Sequence, residues 1–135
     1  MPREDKLFYM AKRNEFCDHV VDLLAPLGSP SYRFMFGGYA IYLDGLIVGI
    51  VADDVLLLRA DEENRGDYEV RGIGPFRPYP EKGMATMPYY TVPDDVFEDP
   101  DELLRWAGRS REAALRAQAK KEAKGKGKKR GATRR

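Results

Sequence analysis

Between residues 32 and 60 the sequence reads as four short β-rich runs, 32–36, 39–43, 46–52 and 55–60, set apart only by Gly37-Gly38, Asp44-Gly45 and Asp53-Asp54. Connections of two residues admit only antiparallel neighbours, because a parallel crossover needs a dozen or more residues. Asp44-Gly45 is the strongest of the three signals, since a two-residue hairpin turn needs positive φ at its centre and Gly supplies it without strain. Asp53-Asp54 is a weaker version of the same turn. Gly37-Gly38 fits either a turn or a bulge in a continuing strand. Whatever else the chain does, it is expected to build around an antiparallel meander.

The flanking segments supply the layer that covers it. Leu7, Met10, Cys17, Val20, Val21, Leu24 and Leu27 recur at helical steps with charged residues between them, which predicts one long amphipathic helix over residues 5–25. Pro26, Gly28 and Pro30 stop it. After the meander, Asp61 reads as the N-cap of a helix running to Arg71, with Tyr68 and Val70 inward and Gly72 as the stop. Residues 73–83 hold three prolines and read as a loop. Residues 84–92 read as a further strand, placed at a sheet edge by the Met87-Pro88 step. Pro93-Asp94-Asp95 and Asp99-Pro100-Asp101 are helix starts, the second opening a helix with Leu103, Leu104, Trp106, Ala107, Ala114 and Leu115 on one side. The expected fold is α+β: two layers, an antiparallel meander of about five strands packed by the N-terminal helix and the Trp106 helix.

Charge divides the chain. Of its 23 Lys/Arg and 22 Asp/Glu, residues 116–135 hold ten basic and one acidic, leaving a body over 1–115 with a net charge of −8. A domain over 1–115 and a basic, disordered tail over 116–135 are expected, because Lys-Gly-Lys-Gly-Lys-Lys-Arg-Gly offers nothing to bury. The tail cations Lys120, Lys121, Lys124, Lys126, Lys128, Lys129, Arg130, Arg134 and Arg135 suit sequence-independent contact with phosphates and carry no means of reading bases. One cysteine excludes an internal disulfide, and no apolar run reaches the ~20 residues of a membrane helix, so a soluble, cytoplasmic protein is expected.

Motifs for catalysis are missing. The single histidine, His19, stands two residues from Cys17 on one helix, where side chains diverge, so the two cannot act as a base and nucleophile. One His and one Cys make no metal site. The acidic clusters sit at turns and helix starts, where carboxylates are stabilising for local reasons. Gly37-Gly38 matches neither phosphate-binding glycine pattern. No catalytic, cofactor or metal residue is expected.

The run Phe34-Met-Phe-Gly-Gly-Tyr-Ala-Ile-Tyr-Leu-Asp-Gly45, with Ile50-Val-Ala-Asp53, Leu56-Leu-Leu-Arg-Ala-Asp-Glu-Glu-Asn-Arg65, Met87-Pro-Tyr-Tyr-Thr-Val-Pro93 and Leu103-Leu-Arg-Trp-Ala107, resembles the TfoX N-terminal domain family over roughly residues 7–118. The resemblance implies a small two-layer domain, like type III secretion chaperones in outline, and a link to regulators of competence for DNA uptake. It brings no catalytic residues, and Gly37, Gly38, Tyr39, Asp44 and Gly45 match as architecture. Regulators of this type carry a second, C-terminal helical domain, where this chain has the basic tail.

The reading is a non-enzymatic binding or regulatory domain whose partner is another protein or a second copy of itself, with nucleic-acid contact through the tail. Its exposed edge is expected at residues 84–92. The alternative is a small-molecule or enzyme site on the sheet face near Tyr39, Tyr42, Arg59 and Tyr90.

Overall fold

A computed structural model describes residues 13–133 apart from residues 36, 79–82 and 84, with the backbone alone described over 126–133. In chain order the elements are α1 (Glu15–Leu24), a 3-10 turn (Ala25–Leu27), β1 (Pro30–Met35), β2 (Gly38–Leu43), β3 (Leu46–Ala52), β4 (Val55–Arg59), α2 (Gly66–Glu69), β5 (Tyr89–Thr91), α3 (Asp94–Phe97) and α4 (Pro100–Thr133). The five strands form one antiparallel sheet in the order β1-β2-β3-β4-β5. The expected α+β meander is the observed one.

The turns behave as their residues dictate. Asp44 and Gly45 both take positive φ, 51° and 83°, the pairing a tight hairpin requires. Met35 pairs with Gly38, so Gly37 lies in the β1–β2 connection at φ 79° while Gly38 opens β2, a turn rather than a bulge. The sheet's irregularity falls in β3 instead: Ile41 pairs with Gly49 but Tyr42 with Ile47, leaving Val48 as the extra residue. That bulge turns Val48 into the core, where it is fully buried. Asp53 and Asp54 also hold positive φ, 51° and 58°, without glycine's freedom. Asp54→Gly should therefore raise stability by about 0.5–1 kcal/mol, read as a higher urea midpoint at unchanged slope.

One face of the sheet is covered. Ile41, Leu43, Val48, Val51, Leu56, Leu58 and Tyr90 meet Cys17, Val20 and Leu24 of α1 and Leu103, Trp106, Ala107 and Ala114 of α4 in a single core. Strand alternation turns Ala40, Tyr42, Ile47, Ile50, Val55 and Leu57 to the opposite face.

Several element limits differ from expectation, each for a local reason. The helix that carries Cys17 starts at Glu15, because Asn14 is extended and its side chain caps the Cys17 N–H; Leu7 and Met10 lie outside the described residues. Asp61 caps no long helix. It closes a turn, accepting the Glu63 N–H, and α2 shrinks to Gly66–Glu69. Gly72 does end this segment at φ 76°, and Tyr68 is buried as expected, but Val70 is 84% exposed. The strand expected over 84–92 is reduced to Tyr89–Thr91, with Met87 bridging back to Phe76 and residue 84 outside the described set. Asp99 caps α4 as expected, accepting the Glu102 N–H at 3.3 Å. Leu115 points outward at 45% exposure. α4 does not stop there: its backbone stays helical to Thr133, where a disordered tail was expected. Residues 116–124 contain mainly Ala, Lys, Gln, Arg and Glu, all good helix formers, and this offsets the lack of anything to bury.

Candidate functional site

At the end of β4 the chain turns sharply, and the turn is held by its own polar residues. Asn64, buried at 3% exposure, accepts the Asp61 N–H at 2.8 Å and donates to the Arg59 carbonyl at 3.2 Å. The Ala60 N–H donates to Pro88 at 3.0 Å, drawing the 86–88 segment alongside. Across from this turn runs α4, carrying Ala113, Arg116 and Lys120. Between them lies a cleft of about 620 Å3, whose polar walls include Arg59, Asp61, Arg65, Arg116 and Lys120, with Tyr90 and Met87 as its apolar part.

Arg116 is the residue that ties the cleft shut on one side. Its guanidinium donates to both Asp61 oxygens, at 2.7 and 2.9 Å, and stands 3.2 Å from Glu63. This bidentate pairing, helped by the Glu63 and Asn64 N–H groups, lowers the Asp61 carboxyl from 3.8 to about 2. A depressed carboxylate contributes stability that is present above its ordinary value and lost as pH falls through the folded one. Arg116→Ala should therefore lose about 1–2 kcal/mol at pH 7, a value discounted for the pair's partial exposure. Its deficit against the parent should shrink between pH 4 and pH 2, as urea midpoints measured across that range would show.

Two more α4 arginines latch other loops. Arg109 pairs with Asp67 and donates to the Glu63 carbonyl at 3.0 Å. Arg111 donates to the Leu27 carbonyl at 2.7 Å and stands 2.9 Å from Asp44, which itself accepts the Ser29 N–H at 2.8 Å. Asp44 thus does more than shape its turn: it joins the β2–β3 hairpin, the α1–β1 connection and α4. These latches were not legible beforehand, because each partner lies 40 or more residues away along the chain.

The four residues expected to share a sheet-face site separate. Tyr39 and Tyr90 belong to the helix-covered face and Tyr42 to the other, while Arg59, whose guanidinium donates to the Tyr89 hydroxyl at 3.3 Å, shares with Tyr90 only the lining of the cleft. Tyr39 instead stacks edge-on with Tyr32 and Phe34, at 5.7 and 5.4 Å between ring centres. Of the tail cations, Lys120, Lys121 and Lys124 are exposed on α4, Lys126, Lys128, Lys129 and Arg130 fall where only the backbone is described, and Arg134 and Arg135 lie outside the described residues. His19 is exposed and Cys17 fully buried, its thiol pushed up to about 12 by burial. Burial likewise pushes the Tyr68 phenol above its ordinary range. Neither group is a nucleophile at neutral pH. Among the described residues no cluster of His, Cys, Asp and Glu could hold a metal ion, and no helix is long and apolar enough to cross a membrane.

Comparison with known proteins places these features in a family. Protein Sxy of Escherichia coli (strain K12) is 32% identical over 96 residues, covering 70% of this chain and 46% of that one. The chain thus spans about half the length of that relative. A second relative, described as an uncharacterized 12.7 kDa protein in the trpE 5' region of Spirochaeta aurantia, is 36% identical over 90 residues, covering 67% of this chain and 72% of its own. The family model of the TfoX N-terminal domain matches residues 22–114, from the last turn of α1 through the latch arginines Arg109 and Arg111. The chain belongs to the TfoX N-terminal domain family.

Proposed function

We propose that this chain is a non-enzymatic, cytoplasmic regulatory domain of the competence-regulator type that works by binding another protein. The observation that carries the reading, beside family membership, is the sheet face that the described helices leave uncovered. Ala40 and Leu57 are buried on that face, but Tyr42, Ile47 and Ile50 are only half-buried and Val55 is 41% exposed, so part of it presents apolar side chains to solvent. Apolar surface of this kind, rimmed by charge, is characteristic of contact sites. In the host, a chain carrying Ile47→Glu and Ile50→Glu should fold, by circular dichroism, yet fail to restore regulation of DNA-uptake genes in a deletion strain. Full restoration by that variant would overturn the outer face as the contact surface.

The basic end of α4 supports a second contribution, sequence-independent binding to nucleic acid. Lys120, Lys121 and Lys124 project from a continuous helix, and a helical array of cations binds phosphates by releasing counterions. With about six phosphate contacts, the log–log salt slope on duplex DNA should be near −5. A chain ending at Ala119, which keeps Arg116, should lose that binding; binding retained by the shorter chain would remove the tail from the account.

The cleft favours a further reading, a small anionic ligand held by Arg59, Arg65 and Lys120 near Tyr90. Asp61, Glu62 and Glu69 share the same walls and oppose an anion, which is why the protein-binding reading stands first.

A further inference from the structure

The sheet has two edges, and they are treated differently. β5 is short, and Phe76 covers its outer side by donating to the Tyr89 carbonyl at 2.8 Å and accepting from the Met87 N–H at 2.8 Å. β1 is six residues long, and among the described residues its backbone makes no hydrogen bond other than those to β2. Pro30 shows which of its groups point away. Proline has no N–H to give to β2 and sits at an edge position, so the alternation of an antiparallel ladder sends the backbone groups of Tyr32 and Phe34 outward too.

Beside this edge, between α1 and β1, runs a groove of about 630 Å3 lined by Arg13, Asp18, Val21 and residues 31–35. Its floor is ordered: Tyr32 donates its hydroxyl to Asp18 at 2.7 Å and accepts the Asn14 N–H at 3.2 Å, and Arg13 holds the other Asp18 oxygen at 3.0 Å. Phe34 stands 54% exposed above it. A strand edge left unpaired among the described residues and flanked by a groove is a template for strand addition.

We infer that β1 pairs antiparallel with β1 of a second copy about a two-fold axis at Tyr32, joining the two sheets into one of ten strands. The charges select both the partner and the register. The body carries a net charge of −8, yet the β1 edge is free of that acidic excess: β1 has no acidic residue and the groove's one carboxylate, Asp18, is already paired with Arg13. Centring the pair on Arg33 would set two guanidiniums directly opposite each other, which is destabilising. Centring it on Tyr32 sets each Arg33 against Ser31 of the second copy and each Phe34 against Pro30. The two Tyr32 residues then exchange both backbone bonds, and each Phe34 N–H finds the opposite Pro30 carbonyl. The proline's missing N–H leaves only the Phe34 carbonyl without a strand partner. This goes beyond the reading above, since it concerns the edge of the sheet and neither its outer face nor the basic helix.

Sedimentation of the full chain over a range of concentrations tests the inference. The expected result is a dimer whose dissociation constant rises at least tenfold in Phe34→Lys, an exposed position outside the core, and stays within twofold in Val55→Lys on the outer face. Circular dichroism should show both variants folded. A chain monomeric at every concentration overturns the inference, as does a dimer that survives Phe34→Lys or is broken by Val55→Lys. A monomer that becomes a dimer only when residues 1–12 are deleted also overturns it for the full chain, and would give the edge to the chain's own N-terminal segment.

Discussion

Replacing Trp106 with alanine should lower the free energy of unfolding by about 3–5 kcal/mol, a large part of the stability a domain of this size has to lose. The indole is 4% exposed at the centre of the core, edge-on to Tyr68 at 4.9 Å, while Tyr68 in turn lies 5.1 Å from Tyr90 of β5. On its other side the Arg71 guanidinium lies 5.3 Å from the ring centre. One side chain therefore joins α4 to α2 and, through Tyr68, to the edge of the sheet. Removing it opens a cavity the rigid sheet cannot close and takes away one aromatic contact and one cation–π contact. A urea titration should show the midpoint falling with little change in slope, and Leu115→Ala, on the exposed side of the same helix, should change it by less than about 0.5 kcal/mol.

The second large effect is expected from a glycine in the middle of the sheet. Gly49 sits in β3 beside the bulge at Val48, and a Cβ built there would lie 2.5 Å from the Leu57 carbonyl oxygen and 3.2 Å from Leu58 Cδ2. The first neighbour is backbone and cannot swing aside. Gly49→Ala should force β3 and β4 apart and cost about 1–3 kcal/mol, as overpacked cores do. Gly66→Ala, with open space around its Cβ and an ordinary φ, is the control and should be neutral or slightly stabilising. The pair separates a steric requirement from the general entropy of glycine in thermal melts measured side by side.

The parts of this architecture that the sequence made legible are those fixed by neighbours along the chain. Asp44-Gly45, Asp53-Asp54 and Asp99-Pro100 act within three or four residues, and each produces the turn or cap its chemistry demands. Hydrophobic spacing likewise placed Cys17, Val20, Leu24, Leu103, Trp106 and Ala107 in the core. What escaped notice depends on residues far apart. The bulge at Val48 arises from β2 and β3 together, and within Leu46–Ala52 its one local mark, the strand-interior Gly49, passed unread. Arg109, Arg111 and Arg116 have no local mark of their partners, because only the fold sets Asp67, Asp44 and Asp61 opposite them. The four-residue group assigned to one sheet face failed because Tyr39 and Tyr42, three apart on a strand, must point to opposite faces. The tail's helicity went unread because composition reports what a segment can bury, whereas a helix already begun at Pro100 needs no new nucleus to continue.

The meander order has a kinetic consequence. The first three strand pairings each close over a two-residue connection, while β4 and β5 are separated by residues 60–88. Loop-closure entropy makes the last pairing roughly 2 kcal/mol harder to form than the others. The four-strand ribbon should therefore zip up within microseconds of collapse, and the slow event is the capture of β5 and α4 upon it. Mutations in the β2–β3 hairpin would then change the folding rate, and mutations in β5 the unfolding rate, so the same sheet is assembled from one side and dismantled from the other.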